Sequence, residues 1–130
     1  MEIADTDVLI DYLGRKGAFV RVSEAIAKGR LAVAMITCYE LMASATGEVS
    51  RRNVQGLIDQ LVILPFDLSA AGEAAKLSRY LARMGSRIGT SDSLIAGTAL
   101  ATGLPVLTRN PKQFERIPGL KLVKLTEQIQ

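Results

Sequence analysis

Five short apolar runs are spaced along the chain, and longer segments with helical patterning separate them. The runs are "EIAD" at 2–5, "LAVAMI" at 31–36, "VILPF" at 62–66, "PVLT" at 105–108 and "LKLVKL" at 120–125. Each has strand length. The spacers hold one or two helices apiece, which is too much chain for hairpins and the right amount for crossovers. This alternation predicts an α/β fold, with a parallel sheet and helices on its faces. The strands are short and apolar throughout, as expected when both faces of a sheet are covered. At 130 residues the chain is expected to form a single domain spanning 1–130.

The helices carry their own signals. Thr6 is placed to cap a short helix through Leu13, with Gly14 stopping it. A second helix is expected from about Ala18 to Lys28, ended by Gly29. Thr37 and Glu40 fit a capping box, so a helix is expected to begin there. Others follow over about Arg51–Gln60 and from Ser69 to a stop at Gly85. A further helix is expected to be capped at Thr90 or Ser91 and ended at Gly103, and "NPKQFERI" reads as a loop with one helical turn.

Composition narrows the chemistry. There is no histidine, which removes His-based acid–base catalysis, every His-containing nucleophile triad and His-ligated zinc. The single cysteine, Cys38, excludes an intramolecular disulfide and any multi-Cys zinc site, and reads as a small buried hydrophobe. The net charge of +3 permits an anionic partner without demanding one, because the basic residues are scattered. Hydrophobic residues make up 48% of the chain, yet no apolar run approaches the ~20 residues of a membrane helix. The acidic N-terminus lacks the basic start of a signal peptide. A soluble, cytoplasmic protein is expected, its surplus apolar surface covered by a partner or by its own copy.

The acids are what remain. In open α/β sheets ligands bind beyond the carboxyl ends of the strands. Asp5 ends the first strand, Glu40 lies in the helix after the second, and Asp92 lies in the first turn of the helix before the fourth. Asp7 stands close to Asp5, and Asn110 lies just past the fourth strand. Singly, each acid has an ordinary reading as a turn residue, half of a capping box or a helix N-terminal charge. Together, carboxylates brought to one sheet edge repel one another, and a divalent cation relieves that repulsion. Asp5, Glu40 and Asp92 are therefore expected in one concave site, close enough to share a cation. Oxygen-only ligands favour Mg²⁺ or Mn²⁺ over Zn²⁺. Such a site suits phosphodiester hydrolysis. Asp11 reads as a solvated helix residue. Arg109 reads either as a phosphate contact or as half of a surface ion pair.

Three stretches, "IADTDVLIDYL", "ITCYELMA" and "GSRIGTSDSLIAGTALATGLPVLTRNPKQFERIPGL", resemble the successive motifs of PIN domains. The resemblance is closest to the VapC-type ribonuclease toxins of prokaryotic toxin–antitoxin pairs, and it covers nearly the whole chain. It implies a three-layer α/β/α sandwich around a mainly parallel sheet, a Mg²⁺- or Mn²⁺-dependent endoribonuclease, a small antitoxin partner and a homodimer. The family's first three acids fall on Asp5, Glu40 and Asp92, with Thr6, Asp7, Ser91 and Asn110 in support. Where the family carries a fourth acid this chain has an amide, Asn110 or Gln113. Asn110 can still hold a water or donate to a phosphate, and Asp7 is placed to bring a carboxylate back across the site. The main alternative is a weak or inactive PIN domain acting as an RNA-binding or scaffold module. A PIN nuclease of RNA processing or DNA repair is a further alternative, disfavoured by the chain's size. A phosphoacceptor receiver domain lacks its adjacent acidic pair and late lysine here, and no G-x-G-x-x-G follows the first strand to hold a dinucleotide.

Overall fold

The computed structural model describes residues 1–125. Five strands form one sheet, every neighbouring pair parallel: β1 (Glu2–Ala4), β2 (Leu31–Ala34), β3 (Val62–Leu64), β4 (Val106–Thr108) and β5 (Leu122–Lys124). Their spatial order is β3-β2-β1-β4-β5. The chain thus builds outward from β1 in one direction, then returns to lay β4 on its other side. The gap between β1 and β4 is the point where the winding reverses, and ligand crevices open at the carboxyl ends of strands there.

Side chains alternate across this sheet, as strand geometry requires. Ala4, Leu31, Val33 and Leu107 enter one core with α1 (Thr6–Leu13), α2 (Phe19–Ala27), α3 (Met35–Ser44) and α4 (Glu48–Ile58). Ile3, Ala32, Ala34 and Val106 enter a second core with α5 (Leu68–Arg83), α6 (Thr90–Thr102) and α7 (Pro111–Phe114). These two cores make the α/β/α sandwich. Coverage is complete only for the central strands: Val62 and Ile63 of the edge strand β3 are 42% and 43% exposed.

Several of the expected helix starts differ. The helix that carries Thr37 begins two residues earlier, at Met35, with Ala34 at its N-cap and no side-chain cap bond. The helix that carries Ser91 has Gly89 at its N-cap, again without a side-chain cap. Asp67, rather than Ser69, caps α5 by accepting from the Ala70 amide at 3.0 Å. Where Gly97 faces α5, the two helices come very close: a Cβ at Gly97 would stand 2.6 Å from Ala74 Cβ and 2.7 Å from the Ala70 carbonyl oxygen. That contact fixes α6, and with it Asp92, against the rest of the fold. No helix among the described residues is long and apolar enough to cross a membrane.

Candidate active site

Asp5 follows β1 directly, and β4 lies beside it in a register that pairs Ala4 with Leu107. One step further along, Asp5 and Thr108 become neighbours. The Thr108 hydroxyl donates to Asp5 Oδ2 at 2.9 Å and accepts from the Asn110 amide at 3.0 Å. Asp5, at 5% exposed, and Thr108, at 2%, are both buried. A single hydroxyl therefore ties the first acid to the turn after β4.

The second acid is tied in the same manner. Thr6, the first residue of α1, donates its hydroxyl to Glu40 Oε1 at 2.8 Å. Its oxygen lies 3.0 Å from that of Thr37, which is fully buried. A threonine has one hydroxyl hydrogen, and Thr6 gives it to Glu40, so Thr37 donates to Thr6. The expected roles of these side chains are thus corrected. Thr6 does not cap α1, and Thr37 and Glu40 do not form a capping box. Their polar atoms run instead across the carboxyl ends of the strands, from β1 to the helix after β2.

The acids sense one another. Burial pushes the Asp5 carboxyl up to about 6; the Thr108 hydroxyl opposes this, and the charges of Asp92 and Asp7 add to it. Asp92 is likewise raised, first by burial and then by Asp7 and Glu40. All four acids therefore share one electrostatic environment. Ser91 is half-buried in the first turn of α6 and makes no side-chain hydrogen bond among the described residues. Asn110 is exposed at the border, its Nδ2 3.4 Å from Asp7 Oδ2.

Among the described residues, no three or more Asp, Glu or Cys side chains converge tightly enough to hold a metal ion as they stand. The close sharing expected for Asp5, Glu40 and Asp92 is not reached in this arrangement. The donor set nevertheless suits a hard divalent cation. It is all oxygen, and its raised carboxyls are those whose ionised form an added positive charge would favour.

Asp11 is not solvated. It is 3% exposed, and its Oδ1 accepts from Arg109 Nη1 at 2.6 Å. Arg109 Nη2 also stands 3.9 Å from Asp7 Oδ2. Thr37, Thr108 and Asp11 are the site members that sequence reasoning did not assign to the site. The "LTRN" stretch and the position of Asp11 one helical turn beyond Asp7 were the available signals for two of them.

Comparison with known proteins agrees with this architecture. The model of the PIN domain matches residues 3–120. The tRNA(fMet)-specific endonuclease VapC of Salmonella typhimurium is 34% identical over 122 residues, covering 91% of this chain and 92% of that protein. The protein of the same name from Shigella flexneri is 31% identical, covering 90% and 92%. Among solved structures, DNA-bound VapBC from Salmonella typhimurium superposes with a TM-score of 0.84 at 33% identity, covering 96% of this chain and 99% of that one. VapBC-1 from nontypeable Haemophilus influenzae gives 0.83 at 27% identity, covering 97% and 98%.

Proposed function

The chain belongs to the PIN-domain family, and from that premise we propose that it is a metal-dependent endoribonuclease, the toxin of a VapBC-type pair, acting on single-stranded RNA. The observation that carries this reading is the set of acids at the winding reversal: Asp5 bound by Thr108, Glu40 bound by Thr6, and Asp92 raised together with Asp5. The relatives named VapC endonucleases support it.

Asp5, Glu40 and Asp92 would hold Mg²⁺ or Mn²⁺, with Asp7 beside them. A bound cation supplies Lewis acidity, making water a better nucleophile and offsetting charge on the phosphate oxygens. The chain's own groups do the rest. Thr108 holds Asp5 through Oδ2, while Thr6 holds Glu40 through Oε1. Water attacks phosphorus, the bond to the 3′-oxygen breaks, and the products carry a 5′-phosphate and a 3′-hydroxyl. A cyclic phosphate formed by paired histidines is not open to a chain without histidine.

The protein would work as one domain in the cytoplasm, as a homodimer held inactive by a small antitoxin. An antitoxin arginine placed among the carboxylates would supply the positive charge they lack and pair with them bidentately. Solved VapBC complexes with a similar toxin-like chain support such a partner. A second reading, an RNA-binding module that does not cut, draws on Asn110 and on the absence of a ligating trio among the described side chains. Incubating total RNA with the protein decides between them. Cleavage that needs Mn²⁺, stops with EDTA and is lost in Asp5→Asn supports the nuclease. Cleavage that survives EDTA, or full activity in Asp5→Asn, overturns it. RNA that binds and is never cut under any divalent metal selects the second reading.

A further inference from the structure

Asp11 lies one helical turn beyond Asp7 on α1, yet the two acids have opposite surroundings. The Asp7 side chain is 46% exposed and that of Asp11 is 5% exposed. The turn after α1 closes over Asp11. Gly17 sits at φ +54°, and a Cβ there would lie 2.5 Å from Asp11 Oδ2, so the carboxylate is covered by backbone that only glycine permits. A buried carboxylate needs a partner. It has one in Arg109, which arrives from the turn after β4, 98 residues away in sequence, and donates through Nη1 at 2.6 Å.

Arg109 thus stands between two acids and binds the buried one. Its Nη2 remains 3.9 Å from Asp7, beyond hydrogen-bond range. A guanidinium carries five N–H donors, and this ion pair uses one. The side chain is 42% exposed at the rim of the acidic site, and Nη2 makes only a long ion pair with Asp7, so donors remain for a further partner. Without Asp11, an arginine beside several carboxylates would fold onto them and neutralise them. With Asp11, it is held back.

We infer that Asp11 and Arg109 form a preset phosphate clamp: Asp11 is a positioning residue that holds the Arg109 guanidinium at the rim, where its remaining donors grip a phosphate of the RNA strand entering the acidic site. The inference rests on the proposed function only for the identity of the strand. It gives the otherwise repulsive site a fixed point of attraction for a polyanion.

Equilibrium binding of a fluorescently labelled single-stranded RNA to the full chain, read by anisotropy in EDTA and low salt, tests it. Arg109→Ala should weaken binding about tenfold and reduce the dependence of log Kd on log salt by about one. Asp11→Asn should also weaken binding severalfold, although it removes an anion near the path of a polyanion. The double variant should bind no more weakly than Arg109→Ala alone. A residue that contributed only negative charge would give tighter binding on removal. A residue that only braced the fold would lower the melting temperature and leave Kd unchanged. Either result overturns the clamp. Arg109→Lys keeps the ion pair but loses the fork, so it should fold as well as the native chain and still bind severalfold more weakly. Full affinity in that variant also overturns the clamp, even if Asp11→Asn fails to fold. Cleavage is scored separately in Mn²⁺. RNA that binds through the clamp and is not cut removes the nuclease reading alone. RNA cut with an unchanged KM in Arg109→Ala removes the clamp alone.

Discussion

Asp5 is where burial and charge meet most directly. Its carboxyl is raised to about 6 in the folded protein, against an unfolded value near 3.8. A carboxyl raised on folding favours the native state most when protonated. Its contribution is fully present below about pH 3.8 and is lost as pH rises through 6. The metal-free native protein should therefore lose stability between pH 4 and pH 7 at this position, by on the order of 3 kcal/mol. Asp5→Asn should be the more stable protein at pH 7.5, with the difference fading by pH 4, while its nuclease activity is abolished. Denaturant titrations across pH check the first part. An Asn variant no more stable than the native chain at pH 7.5 would contradict it. Thr108→Val makes the complementary case. It deletes the hydrogen bond that holds Asp5 down, and leaves the Asn110 amide without its acceptor. It should cost about 1–3 kcal/mol of stability and move the acid limb of the kcat/KM profile to higher pH. Asp5 and Asp92 stood out in the sequence because one follows an apolar run and the other lies in the first turn of a helix, whereas Glu40 was singled out as half of a capping box that does not form. Thr108 was not, because its partner lies 103 residues away and only the order of the strands makes them neighbours. Asp11 was misread for the same reason: helical periodicity places it on α1, but the arginine that pairs with it comes from the turn after β4, 98 residues away.

The helices show which local signals survive tertiary structure. Glycine stops at Gly85 and Gly103 were read correctly, because left-handed backbone after a helix is a local matter. The capping signals at Thr6 and Thr37 were not, because their hydroxyls are taken by a hydrogen-bond chain that spans two helices, and at Thr90 or Ser91 the helix starts earlier than expected, with Gly89 at its N-cap. Two glycines on α5 and α6 are a further test of local against tertiary control. Gly72 lies within α5 with nothing near its absent side chain. Gly72→Ala should stabilise the protein by about 0.5–1 kcal/mol. Gly97 has backbone and a methyl group against it. Gly97→Ala should destabilise by about 1–3 kcal/mol through overpacking. It should also lower activity, because α6 carries Asp92. Chemical denaturation of the two variants reads opposite signs from the same substitution. Equal signs would mean that α6 is not held by this contact.

At the scale of the whole molecule, the apolar content that the sequence flagged is not spread evenly. Met35, Tyr39 and Met42 fall at i, i+4 and i+7 on α3 and are 45%, 65% and 52% exposed. They form a stripe along the outer face of a helix whose inner face holds Thr37, Cys38 and Leu41 in the interior. A monomer that leaves such a stripe in water forgoes about 25 cal/mol for each Å² of apolar area it could bury. Self-association through α3 is the simplest cover, because the same stripe on a second copy is complementary to it under twofold symmetry. The native chain should therefore sediment as a dimer at tens of micromolar. Tyr39→Glu combined with Met42→Lys should shift it to monomer. Both positions are solvent-facing on α3, so the melting temperature extrapolated to low concentration should change little, and a folded monomer should result rather than an aggregate. Glu40 lies between them on the same helix but turns inward to Thr6. A dimer formed this way would therefore brace the helix that carries the second acid. If nuclease activity per chain falls with dilution in the native protein, and is low and concentration-independent in the double variant, association and catalysis are coupled through α3. A native chain that sediments as a monomer at these concentrations would exclude this interface, and the stripe would then be left for the antitoxin to cover.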